Sequence, residues 1–200
     1  FTCDESDDSF KIYSSTDTST YEWEVHAEGR FLKLSPREPG KLDLEHLKST
    51  LADEIDHAKI YSDFDDVGYQ FGPCFKEVQK IWRKDGESLA EIQVPDAILE
   101  NIDNYYFQPA VLDACFQGGK ETRFKDEKRK ARDNFFMPIA LKRGRFYKSP
   151  STHLWCHTLL INDDDDRVEY DLEIADDDGS IIAEIKGFRV QRVDQSESKT

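Results

Sequence analysis

The segment QPAVLDACFQGG, residues 108–119, carries one carboxylate, Asp113, and one side-chain amide four residues later, Gln117. Every other residue from Val111 to Phe116 is apolar or small. An aspartate in water ionises near about pH 3.9 and holds no proton at neutrality. Burial among Val111, Leu112, Cys115 and Phe116 would raise that value, by up to about 3–5 units when complete. A helix N-terminus opposes the shift by only about 0.3–1 kcal/mol, roughly 2 at most, against about 1.4 kcal/mol per pKa unit. Desolvation can therefore win, and an Asp113 that keeps its proton can serve as a general acid to a poor leaving group. Gln117 falls one turn on along the same face, where its amide can orient the carboxyl. A second reading stands beside this one: acids near helix starts also serve simply to satisfy backbone N–H groups.

Pro109 suits a first helical position, and apolar side chains on all sides of the following turns predict a buried helix. Such a helix needs a sheet around it, and the flanking sequence supplies strands. EVQKIWRKD (77–85) and GESLAEIQVP (86–95) meet at an Asp-Gly hairpin turn. FFMPIALKRGRFYK, THLWCHTLLIND, RVEYDLEIAD and SIIAEIKGFRVQRV fill residues 135–193, with acidic turns between the last three. Upstream, SFKIYSS (9–15) and YEWEVHAEGRF (21–31) read as strands. In the second, Trp23, Val25 and Ala27 alternate with Glu22, Glu24, His26 and Glu28, the pattern of a half-buried strand. SPREPGK breaks the chain, and Asp43 then caps a short helix, LEHLKSTLADE, striped by Leu44, Leu47 and Leu51. The mixed-charge run 120–133 predicts an exposed loop or fraying helix end, and DQSESKT a disordered tail or linker. The class is α+β: an antiparallel sheet wrapped around one central apolar helix.

Composition narrows the function. Two hundred residues with 38% hydrophobic content, 13 Phe, 8 Tyr and 3 Trp can bury a real core. A formal charge of -15 excludes nucleic-acid binding and opposes an anionic membrane surface. No apolar run reaches membrane-span length. Cys3, Cys74, Cys115 and Cys156 are dispersed without metal-ligand spacing, so no metal is expected, and buried free thiols in a reducing, cytoplasmic setting are predicted. DDDDR (163–167) and DDDG (176–179) read as solvated hairpin turns, because Ile174 and Ile185 fill the first and twelfth positions of a calcium-loop template around the second. The chain begins at Phe1 and its one methionine is Met137, which predicts a piece of a longer protein.

YQFGPCF (69–75) resembles the tyrosine-glycine-proline-x-phenylalanine motif of polyketide synthase dehydratase domains, and GESLAEIQVP the strand after it. QPAVLDACFQ resembles the family's histidine-proline-x-leucine-leucine-aspartate helix, and DDDGSIIAEIKGFRV its closing hairpin. SFKIYSS and EWEVHAEGRF are similar to the last strands of that family's first hot dog, so the resemblance runs through residues 9–193 in order. It implies the second half of a double hot dog: residues 1–34 as the last strands of the first hot dog, 35–59 as a linker with a short helix, 60–193 as the second hot dog, and 194–200 as tail.

The resemblance also implies an activity. A hydro-lyase of this family eliminates water from a 3-hydroxyacyl chain held on the phosphopantetheine of an acyl carrier protein, leaving an enoyl thioester. Asp113 and Gln117 would be catalytic, with Asp113 the acid. Phe71, Gly72, Pro73, Phe75, Leu112 and Phe116 would bind substrate, and the domain would hold no cofactor of its own. The family's base is a histidine in a His-x3-Gly-x4-Pro motif of the first hot dog. None of His26, His46, His57, His153 or His157 has that spacing, and His26 is read as structural. The chain alone is thus expected to be inactive and to need the missing first hot dog, with carrier protein and neighbouring synthase domains as partners and room for a homodimer. Lys120, Arg123, Lys125, Lys128, Arg129, Lys130 and Arg132 either greet an acidic carrier or form an ordinary solvated loop. Gln108 replaces the family's histidine and Phe71 its motif tyrosine. Those departures keep two alternatives open: a product template domain that cyclises polyketones, and a degenerate hot dog that only scaffolds.

Overall fold

The computed structural model describes residues 1–15, 22–100, 102–123, 135–164 and 166–193, in two units, Phe1–Glu38 and Pro39–Thr200. The first unit is an antiparallel sheet of β1 (Thr2–Asp4), β2 (Ser9–Ser14) and β3 (Glu24–Arg30), in that order. β2 and β3 fall where the alternating patterns predict them, and β1 lies in the polar lead-in. The half-buried reading of β3 is corrected: Trp23 is 57% and Val25 49% exposed. Alternation specifies an extended strand, but burial requires something to cover the face. His26 sits on this strand with its Nε2 2.6 Å from Ser14 Oγ.

In the second unit, Asp43 caps α1 (Leu44–Thr50), its carboxylate accepting from the His46 N–H at 3.0 Å. β4 (Asp53–Asp56) follows, and Asp56 then caps α2 (His57–Asp65) through the Lys59 N–H at 2.9 Å. After a 3-10 turn at Pro73–Phe75 come β5 (Val78–Lys84), β6 (Glu87–Gln93), α3 (Asp96–Leu99) and α4 (Pro109–Gln117). A 3-10 segment, Gly118–Arg123, extends α4. β7 (Phe136–Ala140), β8 (Arg143–Phe146), β9 (His153–Asp163), β10 (Arg167–Ala175) and β11 (Ile181–Arg192) complete the chain. The eight strands make one sheet in the order β4-β5-β6-β9-β10-β11-β7, with β8 also on β11. β5 and β6 meet at Asp85-Gly86, as the sequence predicts, with Gly86 at φ 85°.

Burial on both faces explains the long apolar runs. Leu89, Trp155, Ala175 and Ile181 point to one face, and their chain neighbours Ala90, Cys156, Ile174 and Ile182 to the other. The inner face closes around α4, whose Ala110, Val111, Ala114 and Cys115 are buried with Ile81, Ile92, Leu154, Leu172 and Ile185. Ser88 Oγ donates to the Gly118 carbonyl at 2.9 Å and Cys156 Sγ to the Cys115 carbonyl at 3.3 Å, tying the helix end to the sheet. The outer face is covered by α1: Leu42 and Leu51 are buried with Leu89, Trp155 and Ile181. Lys48 lies 4.0 Å from the Trp155 ring centre.

Three further expectations are corrected. Residues 39–59, read as part of a linker, are built into the second unit through α1, β4 and the start of α2; leucine spacing alone does not show that a face is waiting to be covered. Cys3 and Cys74 are exposed, and only Cys115 and Cys156 are buried; all four are free. Residues 120–123, the described part of the run read as an exposed loop or fraying helix end, continue α4 as a 3-10 segment and are not exposed throughout, since Glu121 and Thr122 are buried. The tail 194–200 lies outside the described residues. DDDG forms the β10–β11 turn, where the Asp176 and Asp178 carboxylates accept from the Ser180 N–H at 3.1 and 2.9 Å.

Gly179 in that turn holds the segment before α1: its carbonyl accepts from the Leu42 N–H at 2.8 Å, and its φ is 82°. A Cβ here would stand 2.4 Å from the Leu42 carbonyl oxygen, whereas one at Gly86 meets nothing within 4 Å. Both replacements by alanine incur left-handed strain of about 1–2 kcal/mol. Gly179→Ala must also displace backbone, so urea denaturation should show a clearly larger loss than for Gly86→Ala; equal losses would mean that the Leu42 contact is not rigid.

Candidate active site

Asp113 is half-buried on α4. Its helix starts because Gln108 replaces the missing cap: the Gln108 side-chain oxygen accepts from the N–H groups of Ala110 (2.6 Å) and Val111 (3.1 Å). Those donors are therefore satisfied without Asp113, which removes the capping reading of the acid. Asp113 instead takes part in a side-chain chain of hydrogen bonds. The buried Gln117 amide donates to Asp113 Oδ2 (3.0 Å) and to the Phe75 carbonyl (3.0 Å), using both its hydrogens. Its oxygen accepts from Tyr61 OH (2.9 Å), which in turn accepts from the Val78 N–H (3.1 Å). Every polar atom of the amide is assigned, so the amide cannot flip. With Oδ2 occupied as an acceptor, a proton on Asp113 belongs on Oδ1. Burial raises the Asp113 carboxyl above its ordinary value, and the Gln117 donor partly restrains it.

Asp113, Phe116 and Gln117 line a cavity of about 540 Å³, within the usual range for small-molecule sites. Phe64, Val67, Tyr69 and Phe71 form one wall, and Phe136, Tyr170, Phe188 and Val190 another. Phe71, which lacks the hydroxyl of the family tyrosine, stacks on Tyr69 (5.8 Å between ring centres, 2° between planes) and meets Phe64 edge-on at 5.1 Å. Phe116 stacks on Phe188 at 4.0 Å. Thus four of the eight residues singled out in the sequence, Phe71, Asp113, Phe116 and Gln117, meet in the cavity. Gly72 caps the 3-10 turn, Pro73 opens it, Phe75 contributes its carbonyl, and Leu112 packs against the core. No histidine is among the lining residues: His57, for instance, holds the Val78 carbonyl through Nδ1 at 2.8 Å.

Sequence reasoning missed or misplaced four participants. Tyr61 sits on α2, a helix hidden in a region read as a boundary. Lys120 and Arg123, assigned to a surface loop, line the cavity instead, while the rest of that basic run, 124–133, lies outside the described residues. Glu77 is the fourth. It is 1% exposed, and neither carboxyl oxygen has a hydrogen-bond partner among the described residues. Burial first, and then the Asp113 charge, push its carboxyl up to about 7. Tyr61 and Cys115 are the other titratable groups that sense it. A lone Glu beside an apolar run carries no sequence signal for such burial.

An antiparallel sheet closed around a helix that presents one acid to a cavity defines a hot dog protein of the dehydratase kind. Residues 39–200 match the family described as "Polyketide synthase dehydratase N-terminal domain", and the chain belongs to that family. Polyketide synthase PksN of Bacillus subtilis is 23% identical over 92% of this chain, and a phthioceranic/hydroxyphthioceranic acid synthase of Mycobacterium bovis is 26% identical over 76%. The chain spans only 4% and 7% of those two synthases. Among solved structures, the dehydratase domain from the CurK module of curacin polyketide synthase superposes with TM-score 0.80 at 25% identity, covering 94% of this chain and 64% of that one. A trans-AT polyketide synthase dehydratase domain from Brevibacillus brevis reaches 0.83 at 21% identity, over 93% and 65%. CurK dehydratase has also been solved in a histidine-to-phenylalanine and an aspartate-to-asparagine form, each described as an inactive mutant.

Glu77 gives a pH dependence with a definite sign. Its folded pKa of about 7 lies above the ordinary 4.5, so the native state holds a proton that the unfolded chain releases. Its contribution is most favourable below about pH 4.5 and is lost as pH rises through about 7, amounting to roughly 3 kcal/mol. Glu77→Gln should therefore gain stability over wild type as pH rises from about 4.5 to about 7, with a constant difference above. A wild-type-minus-variant difference that stays flat across that range, followed by chemical denaturation, would show that Glu77 is solvated.

Proposed function

We propose that this chain supplies the acid half of a dehydratase site that eliminates water from 3-hydroxyacyl thioesters. The observation that carries the proposal is the Asp113 carboxyl, raised by burial, fixed through Oδ2 by Gln117, and facing a cavity with aromatic walls. Hydroxide leaves poorly, so an acid must protonate it as the carbon–oxygen bond breaks. Oδ1 of Asp113 is the atom that delivers this proton. As Asp113 becomes a carboxylate, the Gln117 N–H already aimed at Oδ2 stabilises the new charge without reorganising. The electron pair that expels water comes from the carbon next to the thioester, whose proton a base removes. That base is a histidine outside this chain, in the first hot dog, with this chain as the C-terminal portion of the double fold. The inactive histidine and aspartate forms of CurK dehydratase support a two-residue division of labour. The substrate arrives on the phosphopantetheine of an acyl carrier protein, within a cytoplasmic synthase whose other domains are its neighbours. Gln108 caps the helix that carries Asp113 and Phe71 lines the cavity, so neither departure from the family pattern dismantles the site.

Two outcomes test this. The 200-residue chain alone should show no dehydration of a 3-hydroxyacyl thioester, and turnover abolished by Asp113→Asn would reveal a base within it. In the complete parent domain, Asp113→Asn should lower dehydration at least about 100-fold, with melting temperature held or raised because the amide carries no ionisation penalty. Gln117→Ala should lower activity less but cost about 1–3 kcal/mol of stability, since it strands the buried Tyr61 hydroxyl. An active but unstable Asp113→Asn protein would sink the assignment.

A further inference from the structure

The lined face of α4 does not end at Gln117. The 3-10 segment continues it, and Lys120 lies on the same cavity three residues further on. Four cations line the cavity: Lys59, Arg83, Lys120 and Arg123. Three of them have carboxylate partners. Lys59 pairs with Asp63, Arg83 with Glu121 and with Asp53 (2.6 Å), and Arg123 with Asp163 (3.1 Å).

Lys120 differs. Among the described residues its ammonium has no carboxylate within ion-pair distance; it donates one hydrogen bond, to the Asp63 carbonyl at 2.6 Å, and lies 4.4 Å from the Phe64 ring centre. An ammonium has three N–H donors, so that one bond leaves donor capacity for an acceptor in the cavity it lines. Burial pulls its pKa below the ordinary lysine value, with Glu121 and Asp63 pushing back, which marks a partly desolvated group. Phe64, Phe116 and Phe188 line the same cavity as this cation and Asp113. Seven residues of mostly helical chain separate the two, a rise on the order of 10 Å. An acid, aromatic side chains and an under-coordinated cation therefore line a single cavity.

We propose that this cavity selects 3-hydroxyacyl chains whose far end carries an acceptor oxygen, a carboxylate foremost, and that Lys120 is the specificity-determining residue that receives it. The inference rests on the dehydration reading for what happens at Asp113 and adds which chains reach it. A methyl-ended chain fills the aromatic stretch but leaves a desolvated ammonium without an acceptor, and sites built around a buried polar group reject ligands that leave it unpaired. A structural role alone, in which Lys120 only caps the end of α2 through the Asp63 carbonyl, predicts no such preference.

Calorimetric titration of the complete parent domain, carrying Asp113→Asn throughout so that the ligands are not turned over, with two pantetheine thioesters of equal length tests this. Both carry a 3-hydroxyacyl chain, one ending in methyl and the other in carboxylate, and neither carries a phosphate. The carboxylate-ended ligand should bind at least about tenfold more tightly. Lys120→Met should erase that ratio and Lys120→Arg should retain it, whatever either variant does to the melting temperature. Equal affinities with Lys120 in place, or a preference that survives Lys120→Met, would overturn the inference while leaving an acyl-binding site intact. Failure of both ligands to bind would overturn the acyl-thioester reading itself, and the inference with it.

Discussion

Enclosing α4 within the sheet imposes a condition on every polar atom the helix carries: each must find a partner inside the protein or hold a form that needs none. Gln108 meets it at the N-terminus with two backbone donors, and Ser88 and Cys156 meet it at the carbonyl end. Gln117 meets it with three partners, Asp113, Tyr61 and the Phe75 carbonyl, and the Tyr61 hydroxyl in turn takes the Val78 N–H. Asp113 is left with one oxygen bonded and one facing the cavity. The reactive group is thus the residue of a satisfied network.

The same amide ties four segments together. α2, the turn at 73–75, the start of β5 and α4 all meet at Gln117 or at the Tyr61 hydroxyl it bonds. This explains why the Phe-Gly-Pro-x-Phe segment lies beside the acid although 39 residues intervene between Pro73 and Asp113. Its glycine and proline shape a turn, and the turn delivers the Phe75 carbonyl. In this chain the motif acts on the acid through its backbone, while of its side chains Phe71 is the one that lines the cavity.

Charge is distributed with similar economy. The outer face of the sheet pairs acids with His153 and His157, and the cavity rim pairs Lys59, Arg83 and Arg123 with carboxylates. Two ionisable groups stand apart from that rule. Glu77 has no hydrogen-bond partner among the described residues, and Lys120 has one backbone bond there. Burial drives both toward their neutral forms. Groups held in that way are costly to fold, and both stand near the acid or on its cavity.

The residues themselves determined the helix, the acid and its amide partner, because an apolar run with a proline at its start and an i, i+4 polar pair is a local pattern. They determined most strands of the large sheet and the Asp85-Gly86 turn for the same reason. Burial was another matter. Trp23 and Val25 alternate as a half-buried strand would yet lie exposed, while α1, expected as a short helix within a linker, and β4, not expected from the sequence, cover one face and extend one edge of the sheet. Only the tertiary structure placed Tyr61 on Gln117, closed Glu77 off from water and turned Lys120 inward, because each depends on contacts between segments distant in sequence. A pattern within one segment reports what that segment can become; which of its polar groups lose their water is decided by what packs against it.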